Sequence, residues 1–247
     1  MKIFIDIETI PDQTPGAVEL IAEKLTVKAP DLTKPKLIEA LGLDPQQGKF
    51  KTVPELKELW IENNGSAAKQ QQATDQWLKT SFDGAKGQIC CICVEAETGE
   101  IGSFIGNEVE ILESLNSFIE ATAAFNRVET KPYFIGHNSI KFDLPFLHKR
   151  FVINRVKPKF KLIPHGRHGS TAFDTMVEWA GFGNRISMDN LAAALNIKGK
   201  TEGMDGSKVW PEYLAGNIEK IADYCADDVS CTRDIYNALT FNYEKQI

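Results

Sequence analysis

The chain has 247 residues, 43% of them apolar, and a formal net charge of −6 from 28 basic and 34 acidic side chains. That length allows one domain with an insertion, or two small domains, with a substantial core. The acidic balance excludes a protein that coats nucleic acid through bulk positive charge, but not one with a local basic groove.

The N-terminus runs from a single lysine straight into IFIDIE, with no apolar leader or small-residue cleavage pattern. No apolar run approaches the roughly 20 residues needed to cross a bilayer. The expectation is a cytoplasmic protein without a membrane partner. KIFIDIETIP (2–11) predicts a buried strand. Successive strand side chains alternate between faces, so Asp6 and Glu8 share one side and Ile3, Ile5 and Ile7 the other. Two like charges side by side in a buried strand call for a cation; an edge strand whose acids face water is the plainer alternative.

Residues 11–86 change character. Six prolines divide the segment, 17–25 and 53–62 have amphipathic helical patterns, and NNGSAAKQQQ (63–72) has the polarity of a loose turn or a helix start. A mostly helical insertion after the first strand is expected. Alternation returns in QICCICVEA (88–96), and a Thr98–Gly99 turn leads to a strand at 100–105, together a hairpin. Alternation puts Cys91 and Cys93 on one face and Cys90 on the other. Their spacing lacks the C-x₂₋₄-C pattern of structural zinc sites, which favours buried free thiols.

A helix is predicted over 108–125, with Val109, Leu112, Leu115, Phe118 and Ile119 on its apolar side. A short strand at 132–138 and a helix over 142–151 follow, with Pro145 tolerable only in the first turn. TAFDTM (171–176) ends another strand candidate. Ser187 and Asn217 are candidate N-caps for helices over 188–196 and 218–239. The order predicts an α/β fold: a mixed sheet flanked by helices, with an antiparallel member from the hairpin. Neither G-x-G-x-x-G after the first strand nor a P-loop motif occurs, which argues against nucleotide-cofactor chemistry.

Asp143, in GHNSIKFDLPFL, follows a strand end, where α/β active sites commonly form. A capping role fits it equally well. Tyr224 and Asp228 lie four residues apart on one helix face, while Asp223 and Asp227 leave room for a merely solvated acidic helix. Four carboxylates at a sheet end suit two Mg²⁺ or Mn²⁺ ions, which activate water and stabilise a leaving oxygen in phosphodiester cleavage. From Leu144 to Phe173 there is no acid but seven basic residues: Lys149, Arg150, Arg155, Lys157, Lys159, Lys161 and Arg167. Such a stretch is suited to holding a phosphate backbone. Phe151 and Phe160 fit core packing better than base stacking.

FIDIET, HNSIKFDLPFL and YCADD resemble the three motifs of DnaQ-like 3′→5′ exonucleases of the tyrosine (DEDDy) subclass, which have an RNase H-like fold. Within that group the chain is most similar to stand-alone exonucleases related to the proofreading domain of family B DNA polymerases. The likeness covers 1–10 and about 87–240, within a single exonuclease domain spanning 1–247 with 11–86 inserted. It implies that Asp6, Glu8, Asp143 and Asp228 hold two metal ions, with Asp6 touching both, and that Tyr224 orients the attacking water. The position five before the last acid, histidine in the sister subclass, is Asp223 here. His137 and Asn138 are assigned a structural or substrate-side role. Phe142, Lys149, Arg150, Lys157, Lys159 and Lys161 complete the expected substrate contacts, and Asp174 fits capping or local hydrogen bonding.

The substrate so implied is a single-stranded or frayed DNA 3′ end, cut to nucleoside 5′-monophosphates. RNA is an alternative, as is RNase H-like endonucleolytic cleavage. A glycosidase would leave the basic stretch without a role, and four acids beside phosphate would oppose a purely binding module. Proofreading would require a polymerase in trans. Repair, recombination and end-processing are equally open, and a single-strand-binding protein is a further candidate partner.

Overall fold

The computed structural model describes residues 1–129, 131–198 and 203–242. The chain divides into two compact units, Asp12–Lys79 and the remainder. The inserted unit is thus narrower than 11–86, and residues 80–86 belong with the sheet.

The larger unit is built on β1 (Lys2–Ile10). The inserted unit then contributes α1 (Ala17–Lys24), α2 (Lys34–Ala40), α3 (Pro45–Gly48) and α4 (Val53–Leu78), around a small core of Leu37, Ile38 and Leu56. The polar run 63–72 is no turn: α4 continues through it for 26 residues. A reciprocal Thr52–Glu55 capping box starts the helix. Ala, Lys and Gln after Gly65 are strong helix formers, which offset the roughly 1 kcal/mol that the glycine costs.

Beyond a short 3₁₀ turn at Lys79–Phe82 come β2 (Gln88–Ala96), β3 (Ile101–Ile105), α5 (Glu108–Phe125), β4 (Tyr133–Gly136), α6 (Asp143–Ile153) and β5 (Ala172–Asp174). The chain continues with α7 (Thr175–Ala180), α8 (Met188–Ala194), α9 (Val209–Leu214) and α10 (Ile218–Leu239). The sheet order is β3-β2-β1-β4-β5. The β1–β2 and β2–β3 pairs are antiparallel, whereas β1–β4 and β4–β5 are parallel, giving the expected mixed sheet.

Two apolar layers cover it. Ile3, Ile5, Ile7, Ile92 and Val94 pack under α5 and α6. On the other face, Phe4, Ile10, Cys91, Cys93 and Ile135 pack under α10. Each fully buried large side chain contributes about 1.5–3 kcal/mol. The β1–β2 register shifts between Glu8 and Thr9, whose partners are Cys91 and Ile89. Cys90 is therefore an extra, bulged residue, and it joins Cys91 and Cys93 in the α10-facing layer instead of facing away from them. Val109 is 44% exposed, and Ile111 is buried in α5 instead. Ser187 caps α8 as expected, accepting from Asn190 N. Asn217 does not cap α10 with its side chain, which donates to Glu212.

Among the described residues, no helix is long and apolar enough to cross a membrane.

Candidate active site

The parallel β1–β4 pairing stops at Phe4↔Ile135. Asp6 and Glu8 therefore run past the carboxyl end of β4, on the face that α10 covers. That is the crevice in which α/β sheets carry their sites. The i,i+4 spacing of Tyr224 and Asp228 turns both inward from α10, where both are buried. Asp6, Glu8 and Asp228 offer carboxylate oxygens within 4.8 Å of one another.

Asp143 enters from the first turn of α6. It is not the cap, since Phe142 occupies that position. The loop that delivers it is tightly specified. Gly136 has no room for a side chain, because a Cβ there would lie 2.5 Å from Ser139 Cβ. Asn138 takes a left-handed φ of 62°, which asparagine tolerates. Asp174, fully buried at the end of β5, accepts from Asn138 N at 2.9 Å and Ile140 N at 3.1 Å, and also from Met176 N and Val177 N of α7. One carboxylate thus caps α7 and anchors the loop bearing Asp143.

The electrostatics follow from the crowding. Burial raises the Asp6 carboxyl well above the usual range, and repulsion from Glu8, Asp228 and Asp143 adds to it. Burial also pushes Asp143 up to about 7, against the favourable influence of its own N–H and that of Ile7. A cluster of this kind stores repulsion that a divalent cation would relieve. Its ligands are all hard oxygens, which fit Mg²⁺ or Mn²⁺.

Asp6 and Asp228 line a cavity of about 570 Å³ together with His137, Asn138, Arg185 and Asn190. His137 holds the wall in place: Nε2–H donates to Ile186 O at 3.0 Å, and Nδ1 lies 2.8 Å from Thr175 Oγ1. Arg185 and Asn190 were not foreseen from the sequence, and Ser187, foreseen as a cap, also lines the cavity. The signal available was a lone arginine in the glycine-flanked GFGNRIS, beyond the acid-free stretch.

That stretch itself does not line this cavity. Arg150 is buried, donating through Nε and Nη2 to Glu108 at 2.7 and 2.6 Å and through Nη1 to Gly84 O, so its role is to tie α6 to α5. Lys149 pairs with Asp83 at 3.1 Å. Lys157, Lys159 and Lys161 line a separate hollow with Glu113, Glu120 and Glu129, and Lys159 pairs with Glu120 at 3.0 Å. Phe142 packs on Phe146 and lies 6.4 Å from Phe82. Phe151 and Phe160 are core residues.

The model of the predicted 3′-5′ exonucleases related to the exonuclease domain of PolB matches residues 87–242, more than half of the chain. The chain belongs to this family. Its fold is the RNase H-like α/β type. Among solved structures it is similar to the family B DNA polymerase of the hyperthermophilic archaeon Pyrobaculum calidifontis, at 15% identity and a TM-score of 0.50. That likeness covers 64% of this chain and 22% of the polymerase chain, and it is one of fold. No curated protein matches the chain.

Proposed function

We propose that the chain is a divalent-metal-dependent 3′→5′ exonuclease that hydrolyses the terminal phosphodiester of single-stranded or frayed DNA and releases nucleoside 5′-monophosphates. The observation that carries this is the convergence of Asp6, Glu8 and Asp228 within 4.8 Å of one another, with Asp6 and Asp228 on the wall of a cavity. Family membership supports the direction of cleavage.

Asp6, Glu8 and Asp228 would hold one Mg²⁺ or Mn²⁺ ion, and Asp6 with Asp143 a second. When bound, the ions supply Lewis-acid activation of water and charge neutralisation at the leaving oxygen. The protein's own groups do the rest. Tyr224, buried on α10 one turn before Asp228, orients the water, and its part is positional. The loop anchored by Asp174 keeps Asp143 at its station, and Arg185, on the cavity wall, offers a fork of donors to a backbone phosphate. Water attacks phosphorus, the bond to the 3′ oxygen of the penultimate sugar breaks, and that oxygen leaves as the new 3′ hydroxyl.

The test uses purified protein on 5′-labelled single-stranded DNA and RNA with Mg²⁺, Mn²⁺ or EDTA, and Asp6→Ala as control. The expected result is a metal-dependent ladder shortened from the 3′ end and absent in the variant, faster on DNA. Internal fragments would overturn the end-directed mechanism, and a faster RNA ladder would overturn the DNA preference.

A further inference from the structure

The arrangement that gathers the acids also gathers three thiols. Across the β1–β2 ladder, Cys93 is the partner of Asp6 and Cys91 the partner of Glu8. α10 lays Cys225 over them, one residue after Tyr224. The three Sγ atoms lie within 4.8 Å of one another, and all three residues are buried. The Cys91 and Cys93 sulfurs are 3.8 Å apart. Cys225 Sγ lies 3.4 Å from Asp6 Oδ2, so the thiols abut the carboxylate cluster directly.

This spacing distinguishes two chemistries. A disulfide needs sulfurs about 2.05 Å apart, and Cα atoms two residues apart on a strand, about 6.6 Å, already stand near the upper limit it tolerates. Ligands held tetrahedrally at about 2.3 Å from Zn²⁺ are about 3.8 Å apart sulfur to sulfur, and about 3.5 Å sulfur to oxygen. The Cys91–Cys93 and Cys225–Asp6 separations match the second pattern, and Cys225 Sγ lies within 4.8 Å of the other two sulfurs. Thiolates select soft ions such as Zn²⁺, Cd²⁺ and Cu⁺, whereas the neighbouring oxygens select Mg²⁺ or Mn²⁺.

We propose that Cys91, Cys93 and Cys225 form a site for one thiophilic cation of the Zn²⁺, Cd²⁺ or Cu⁺ class, with the Asp6 carboxylate closing the ligand set. Loading forms three metal–sulfur bonds and releases the thiol protons to solvent. Because Asp6 serves both sites, filling the thiol site weakens ion binding by the carboxylates, and the converse holds by linkage. That antagonism rests on the proposed catalytic role of Asp6; the binding itself does not.

The test is a Cd²⁺ titration of the full chain, stripped of metal under reducing conditions and kept in excess Mg²⁺, followed through the thiolate-to-metal charge-transfer band. The expected result is a band saturating at one equivalent. Its affinity should fall at least about tenfold in Cys225→Ala and Cys93→Ala, and stay unchanged in Cys231→Ala, which carries a similar packing change on the same helix. Circular dichroism establishes that each variant folds, and Cys91→Ser serves if Cys225→Ala does not. No band, or one indifferent to Cys225 and Cys93, would overturn the site. The readout needs no cleavage: an inactive protein with the band would sink the exonuclease proposal alone, and an active one without it would sink the thiol site alone.

Discussion

At the carboxyl end of β1, Asp6, Glu8 and Asp228 are held within 4.8 Å of one another, and burial with mutual repulsion pushes the Asp6 carboxyl up. Along α5, by contrast, Lys157, Lys159 and Lys161 share a hollow with Glu113, Glu120 and Glu129. The first arrangement costs folding free energy. The second is close to neutral, since exposed ion pairs are worth about 0–1 kcal/mol. The difference teaches where to look for chemistry: like charges held together by a core strand and the helix packed on it mark a site more reliably than a run of one sign in the sequence.

The most severe way to probe that contrast is to remove an acid. Asp6→Ala should reduce cleavage at least about 10³-fold, because the metal-ligand set loses a shared member; single-turnover rates on labelled DNA measure it. Arg150→Ala breaks a buried pair and leaves the Glu108 carboxylate with donors from Asn154 and Ile89 but no counter-charge, which should cost about 3 kcal/mol in denaturant unfolding. If the variant instead kept its stability and lost affinity for DNA, the basic stretch would have to be reassigned to substrate.

A smaller effect separates the two basic surfaces. Arg185→Ala should raise KM about tenfold with little change in stability, one lost charge-assisted contact being worth about 1.5 kcal/mol. Replacing Lys157, Lys159 and Lys161 together with alanine should leave KM within about twofold at fixed salt. The reverse ranking would invert the comparison.

The last contrast is in pH dependence. The folded Asp143 carboxyl sits at about 7, above its unfolded value near 3.9. The folded state therefore takes up protons between those values, and metal-free stability falls as pH rises through that window. Asp143→Asn should flatten the slope, and saturating Mn²⁺ should do the same for the unaltered chain. Thermal midpoints at pH 5 and pH 8 read both.

Much of this arrangement is legible in the chain itself. Period-two alternation places Asp6 and Glu8 together, the i,i+4 rule places Tyr224 with Asp228, and the hairpin and the Ser187 cap follow from local chemistry. What escapes a linear reading depends on distant partners. Glu108 is 42 residues from the Arg150 it neutralises. The bulge that brings Cys90 round to the other thiols depends on β1, and the loop around Asp143 depends on Asp174. The continuity of α4 through Gly65 reflects helix propensity overriding a single weak residue. The first three are tertiary decisions, invisible to any window of a dozen residues, whereas the last is local.

The central claim, that the acid cluster acts on chain ends, is tested most directly by offering circular and linear single-stranded DNA of the same sequence in one reaction with Mn²⁺. The account predicts that the linear strand is degraded to mononucleotides while the circle survives, and that EDTA spares both. Cleavage of the circle at a comparable rate would contradict it.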